Sequence, residues 1–262
     1  MDVETRGFLV GMIFGDAYVN VRNRLVDGRY YYESSEMRVL HSIAQRDYCE
    51  HKAARTRQAL KRKFSVTIVN NGPGGAYKAA AFSASHPYFK QLKRWCYPNG
   101  KKTFTKHTLE MLTPEGIAFW YLDDGNARRN TNKDGWVSSV ATDISTMCSK
   151  EEAEIIVAYF LDKHGIAFNI RCNKRCVIGK QFFIQANTAE SRKFIALVQP
   201  FIIPSMLYKI AHVADMNAHE RQTPLAACQC GAPIYANRTG GLCVPCYSKR
   251  YHARTAKFRA MI

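Results

Sequence analysis

These 262 residues predict an α+β protein: two pseudo-symmetric αββαββα units followed by a small metal-bound C-terminal module. Three observations carry that prediction. An apolar run that drives straight into an aspartate occurs twice, in "GFLVGMIFGDAYV" (Gly7 to Val19) and in "TPEGIAFWYLDDGNARR" (Thr113 to Arg129). The aspartates Asp16 and Asp124 stand 108 residues apart, and two downstream lysines, Lys102 in "NGKKTF" and Lys209 in "PSMLYK", stand 107 apart. Independent landmarks that agree to one residue mark an internal duplication, with copies at about 7–105 and 114–212. Finally, four of the nine cysteines fall within the 19 residues from Cys228 to Cys246. The implied domains are 1–108, 109–216 and 217–262.

The first element, Gly7 to Gly15, has no polar side chain in nine residues. It is half the length of a membrane span, which needs about 20 apolar residues. The residues ahead of it hold two acids and one base, not the positive flank of a secretory signal. A buried helix remains, with glycines 7, 11 and 15 on one face. Each interior glycine costs roughly 1 kcal/mol relative to alanine, so the face asks for a packing reason. "YVNVRNR", a Val26–Asp27–Gly28 turn and "RYYYESSEMR" then read as a hairpin. Val19 and Val21 are expected to face the helices, and Asn20, Arg22 and Arg24 the other side. A basic helix follows from an Asp47 N-cap, with Glu50 three residues on, to about Lys63. "FSVTIVNNGPGGAYKAAAF" is a second hairpin and "HPYFKQLKRWC" a short helix.

The second copy repeats the order. Thr113 is the N-cap of its first helix, Pro114 suits the first turn and Glu115 the positive dipole end. "RRNTNKDG" and "WVSSVAT" form a hairpin. Ser149 and Glu152 make a capping box for a helix whose Ala153, Ile156, Val157 and Phe160 share a face, until Gly165 stops it. The hairpin "AFNIRCNKRCVIGKQFFI" and the helix "AESRKFIALVQ" complete the unit.

Lys and Arg number 38 against 21 Asp and Glu, a net charge of +17. That excess favours a polyanionic partner, nucleic acid ahead of membrane, because no basic amphipathic anchor or lipidation signal supports a lipid surface. Nine cysteines without a secretory signal point to an intracellular, reducing compartment, where thiols are buried or bind metal.

The paired stretches "LVGMIFGDA" and "IAFWYLDDG" resemble the two signature helices of the LAGLIDADG homing endonucleases, in the single-chain form that carries both copies. "GDAYVNVR", "LTPEGIAFWYLDDG" and "PFIIPSMLYK" resemble the monomeric intron-encoded branch of that family. The likeness covers about 7–212. It implies two motif helices packed side by side, with small residues allowing close backbone approach. It places Asp16 and Asp124 at the centre of a DNA-binding saddle as catalytic ligands of Mg²⁺ or Mn²⁺, with Gly15 and Asp123 beside them in the cation site. Lys102 and Lys209 match the auxiliary basic residues that position water or steady the phosphate.

Two departures stand out. Gly11 has Phe119 as its counterpart, so a glycine is expected to face an aromatic ring. Gly15 has Asp123, which offers a substitute for Asp124. The hairpins of the family read duplex DNA, where Arg and Asn pair bidentately with base edges in the major groove. Asn20, Arg22, Arg24, Arg29, Arg128, Arg129, Asn130 and Lys133 are the candidates here. The basic helix (Lys52, Arg55, Arg57, Lys61, Arg62, Lys63, with Arg46 just before) lies on the outer side in such folds, so solvation and phosphate contact are both open for it. The resemblance implies one chain acting alone as a monomer on double-stranded DNA, from a bacterial, phage or organellar source. Two rivals share the fold: an RNA-binding maturase acting on intron RNA, and a non-cleaving DNA-binding regulator.

The C-terminal cysteines read C-x-C-x12-C-x2-C: Cys228, Cys230, Cys243 and Cys246. Four thiolates close a tetrahedral Zn²⁺ site, and a segment this small needs such a staple. Free thiols or a disulfide are the alternative. A closed zinc site is structural and carries no catalysis. The basic tail "SKRYHARTAKFR", with Lys249, Arg250 and Arg254, is expected to lie along phosphate.

Overall fold

The structure is a computed structural model and describes residues 1–27, 29–132, 136–173, 181–214, 226–234, 243, 245–247 and 249–250. Helix α1 (Val3–Phe14) starts at Asp2, whose carboxylate accepts from the Thr5 N–H at 2.7 Å, and stops where Gly15 leaves helical geometry. Strands β1 (Tyr18–Val26) and β2 (Arg29–Ser42) form the first hairpin, with Val26 opposite Arg29 across a two-residue turn. Asp27 takes the left-handed conformation (φ 48°) that such a turn requires. Helix α2 (Arg46–Leu60), strands β3 (Thr67–Asn71) and β4 (Tyr77–Ser85) and helix α3 (Phe89–Cys96) complete the first copy. Asp47 lies inside the first turn of α2 rather than capping it, and the helix ends at Leu60, where Lys61 turns left-handed. The expected extension to Lys63 therefore stops three residues short.

After a one-turn helix α4 (Lys106–Leu109), helix α5 (Pro114–Asp124) is capped by Thr113, whose hydroxyl accepts from the Gly116 N–H. Strands β5 (Gly125–Thr131) and β6 (Val137–Cys148), helix α6 (Lys150–His164), strands β7 (Asn169–Cys172) and β8 (Phe182–Ala186) and helix α7 (Thr188–Val198) repeat the pattern. The Ser149–Glu152 capping box and the left-handed Gly165 stop of α6 are present as expected. Both sheets are antiparallel four-stranded sheets with the same order, β1-β2-β4-β3 and β5-β6-β8-β7, so the duplication in sequence is a duplication of topology. A 3-10 segment, Pro204–Lys209, and a final turn α8 (Ala211–Ala214) follow. None of the described helices is long and apolar enough to cross a membrane.

The glycine face of α1 has its packing reason. A Cβ on Gly11 would strike the backbone of Gly116, one on Gly116 the carbonyl oxygen of Gly7, and one on Gly7 the Met111 carbonyl oxygen at 2.7 Å. Helices α1 and α5 therefore touch backbone to backbone. The expected glycine-to-aromatic contact does not occur: Gly116 takes that place, and Phe119 meets Phe8 edge-on instead, with ring centroids 5.0 Å apart. Around this seam Phe104 stacks on Trp120, and Trp120 stacks on Phe160, all buried.

The described residues of 1–128 and 141–215 form one compact unit that holds the first copy and most of the second; those of 129–140 and 216–262 form a second. Within the second, β9 (Ala226–Ala227) pairs antiparallel with β10 (Pro233–Ile234).

Candidate active site and cysteine cluster

Asp16 follows the Gly15 break at the foot of α1, and Asp124 is the last residue of α5. With the helices in backbone contact, the two feet converge. Both acids, with Lys102, line a cavity of about 280 Å³ that also includes Lys101, Thr146 and Glu152. Burial pushes the Asp124 carboxyl up to about 7, with the charge of Asp16 the next cause. Asp16 is raised as well, by burial and then by Asp123. Two carboxylates at one cavity, Asp124 the more buried, resist full ionisation together unless a cation joins them. Hard oxygen donors of this kind fit Mg²⁺ or a similar divalent ion.

The lysines repeat in each half. Lys102 donates to the carbonyl oxygens of Phe14 (3.2 Å) and Gly15 (2.5 Å); Lys209 donates to those of Asp123 (3.4 Å) and Gly125 (2.8 Å). Each ammonium is thus tied to the frayed carbonyl end of the motif helix in its own copy. Burial lowers the proton affinity of both.

Asp123 is placed differently from its neighbours. Its side chain is wholly buried, and the Lys52 ammonium donates to both its oxygens at 2.6 Å. The Tyr48 hydroxyl adds a bond at 3.0 Å, and the backbone N–H of Asp16 donates to Oδ2 at 2.9 Å. Ligand atoms of Asp16, His41 and Asp123 lie within 4.8 Å of one another, yet Lys52 already supplies the positive charge there. The oxygens of Asp123 and the carbonyl of Gly15 are both committed to lysines, which sets these two apart from the open carboxylates.

Tyr48 and His41 are not among the residues that the sequence singles out. Lys52, for which solvation and phosphate contact were both open, does neither: it is fully buried, and α2 turns it inward. The available signal was Asp123 itself, an acid where the first copy has glycine, which once buried must find a cation. His41 is buried too, and burial, with Lys52 second, drops its ring to about 4, so it is neutral.

The candidate DNA-reading residues divide. Arg22 and Arg29 are exposed and Asn20 half-exposed on the first hairpin. Arg128 is half-buried beside Asp143, with Nε 3.4 Å from its carboxylate, and Asn130 donates to the Ser139 hydroxyl at 2.9 Å. Arg129 is half-exposed. Lys133, Arg254 and the side chain of Arg24 lie outside the described residues. Lys249 and Arg250 are exposed.

The sulfurs of Cys228, Cys230, Cys243 and Cys246 all lie within 4.8 Å of one another, and those of Cys230 and Cys243 are 3.5 Å apart. Zinc–sulfur bonds of about 2.3 Å in a tetrahedron put sulfurs about 3.8 Å apart, so the donor set and spacing fit Zn²⁺. Gly231, with φ 83°, makes the knuckle, its N–H bonding the Cys228 carbonyl at 2.8 Å. None of the four is in a disulfide.

With paired acids at the feet of two duplicated helices, the fold and site define a LAGLIDADG protein. Residues 6–194 match the LAGLIDADG DNA endonuclease family, and the chain belongs to it. A structure of the homing endonuclease I-WcaI bound to its DNA recognition sequence shares the fold, with TM-score 0.60, 22% identity and coverage of 80% of this chain and 86% of that one. Among curated relatives, Protein RecA of Mycobacterium shimoidei is 26% identical over 208 residues, 77% of this chain and 45% of that protein. The chain thus spans less than half the length of the first relatives it matches. Cytochrome b mRNA maturase bI2 of Debaryomyces hansenii is 26% identical over 220 residues, 81% of this chain and 75% of that one. Probable intron-encoded endonuclease 1 of Wickerhamomyces canadensis is 29% identical over 126 residues, 48% and 52% of the two chains.

Proposed function

We propose that this chain is a site-specific endonuclease that hydrolyses both strands of a long, asymmetric DNA target, acting as a monomer. The observation that carries the reading is the pair Asp16 and Asp124, one from each copy, lining one cavity with Lys102, while Lys209 is tethered to helix-end carbonyls of the second copy as Lys102 is in the first. Asp16 and Asp124 would hold divalent cation, which when bound activates water and relieves charge on the phosphate. Lys102 and Lys209, each fixed by helix-end carbonyls, would supply one ammonium from each copy near the acids. Asp124 must lose its proton before it can ligate, so cation affinity falls as pH drops below about 7. Asn20, Arg22, Arg24, Arg29, Arg128, Arg129, Asn130 and Lys133 would face DNA, with Arg128 and Asn130 pre-oriented by Asp143 and Ser139.

Asp16→Asn and Asp124→Asn should each abolish double-strand cutting of a target selected from a randomised duplex library in Mg²⁺. DNA binding should survive, because phosphate and base contacts elsewhere supply the affinity. Full cutting by Asp124→Asn would sink the assignment and turn attention to Asp123. A second reading, a maturase acting on intron RNA, is supported by the likeness to the cytochrome b mRNA maturase. It would be favoured by tighter binding to structured RNA than to duplex DNA, with no DNA cut under any divalent ion.

The four cysteines would hold one structural zinc, and the segment 217–262 would extend the DNA footprint through Lys249, Arg250 and Arg254. Elemental analysis should find one zinc per purified chain, lost in Cys243→Ser. That variant should still cut DNA, with weaker binding and a footprint shortened on one side.

A further inference from the structure

The buried face of α2 carries Tyr48 and Lys52 one turn apart, and both reach Asp123 at the foot of α5, in the other copy. Lys52 has a second neighbour: its ammonium nitrogen lies 3.1 Å from Nε2 of His41. An ammonium has only hydrogens to offer, so Nε2 must accept. A neutral imidazole that accepts at Nε2 carries its proton on Nδ1. Nδ1 is the ring atom that faces Asp16, 3.6 Å from its Oδ2. Meanwhile Oδ2 of Asp123 accepts from the backbone N–H of Asp16. The backbone of Asp16 is thus hydrogen-bonded into one buried network, and its carboxylate lies beside the imidazole of that network, at a distance longer than a hydrogen bond. The corresponding places in the other copy hold Gly15 and a face of α6 that buries Ile156 and Phe160.

We infer that Lys52 is a positioning residue for Asp16: it holds His41 in the Nδ1–H tautomer and, through Asp123, fixes the backbone that carries the carboxylate. Its relevance to cutting rests on the endonuclease reading above; its structural content does not. One acid of the pair is therefore held by a network that joins His41 and Lys52 of its own half to Asp123 of the other, and the support of the two acids is unequal.

Long-range ¹H–¹⁵N spectra of protein labelled in its histidines test this directly, with the His41 signal assigned by its absence from His41→Gln. The expected result is a neutral ring protonated at Nδ1; a ring protonated at Nε2, or a charged ring, overturns the inference. Lys52→Met alone strands a buried carboxylate and is open to misfolding. The informative variant is therefore Lys52→Met with Asp123→Asn, which removes both charges and nearly keeps the volume. In it the His41 tautomers should mix. On a duplex with each strand separately labelled, one strand should be cut about 10- to 100-fold more slowly, a penalty typical of a misplaced reacting group. Nicked intermediate should then accumulate at unchanged DNA affinity. A wild-type tautomer, or unchanged strand balance, in that variant overturns the positioning role. If the unsubstituted protein cuts no duplex at all, the endonuclease reading fails, while the tautomer measurement still decides what Lys52 does.

Discussion

Helix α1 runs out into Gly15–Asp16 and helix α5 ends Asp123–Asp124, and the whole asymmetry of the site turns on the first residue of each pair. The second residue of each pair is an acid that lines the cavity. The first is a bare glycine in one copy and a buried, ion-paired carboxylate in the other. Two conditions admit that extra carboxylate. Gly15 vacates the space: a Cβ there would collide with the Asp123 side chain. And α2 delivers Lys52, without which desolvating the charge would cost more than the fold can offset. A duplicated scaffold has therefore been kept symmetric in topology while its support became one-sided.

Making the two feet alike should break this arrangement most severely. Asp123→Gly would leave Lys52 buried without its partner and should destabilise by about 3–5 kcal/mol in urea unfolding. Adding Lys52→Met to that variant should recover a large part of the loss. If the double variant were no more stable than Asp123→Gly alone, the buried charge would not be the cause.

A smaller effect is expected from Gly15→Ala, which pushes a methyl against the Asp123 carboxylate. Overpacking of this kind costs about 1–3 kcal/mol. The equivalent insult on the other side does not exist, because Asp123 already carries a Cβ. Unchanged stability in Gly15→Ala would mean that Asp123 can step aside freely.

The smallest effect concerns Asp124 and has the opposite sign. Its folded carboxyl holds a proton to about 7, whereas an unfolded aspartate releases it near 3.8. The folded state of the metal-free protein thus binds more protons between those values, and stability falls as pH rises through that window. Asn cannot ionise, so Asp124→Asn should be more stable than the parent at pH 8, by about 1 kcal/mol, and the gap should close below pH 4. Thermal melts in chelator at both pH values would show it. Added Mg²⁺ should restore the parent and leave the variant less affected.

Much of this was legible beforehand. Spacing of the aspartates and lysines exposed the duplication, and Thr113, Ser149 and Gly165 cap or stop helices through chemistry that is local to them. The same holds for the hairpins, whose turns and alternation are short-range signals. What local chemistry cannot report is which face of a charged helix turns inward. Lys52 sits among Arg55, Arg57 and Lys61, and only the approach of α5 makes it a core residue. Arg55 shows the same point, bound by its guanidinium to Glu115 of α5 at 2.7 and 2.9 Å. The partner of Gly11 was also missed, because counting 108 residues onward finds Phe119 whereas the helix crossing delivers Gly116.

The Gly15–Asp123 fit also decides which ancestors and chimeras are viable. An association of two copies of residues 1–108 would bring two Lys52 side chains into the seam and no Asp123 to meet either. Two copies of residues 109–216 would bring two Asp123 side chains and no glycine to make room, with Ile156 where an ammonium is wanted. Self-association is penalised in both directions, by unpaired charge in one homodimer and by steric overlap in the other, and only the unlike pair is complementary. Domain swaps with related single-chain proteins should therefore succeed when residues 15, 52 and 123 travel as a matched set, and fail when a crossover separates them.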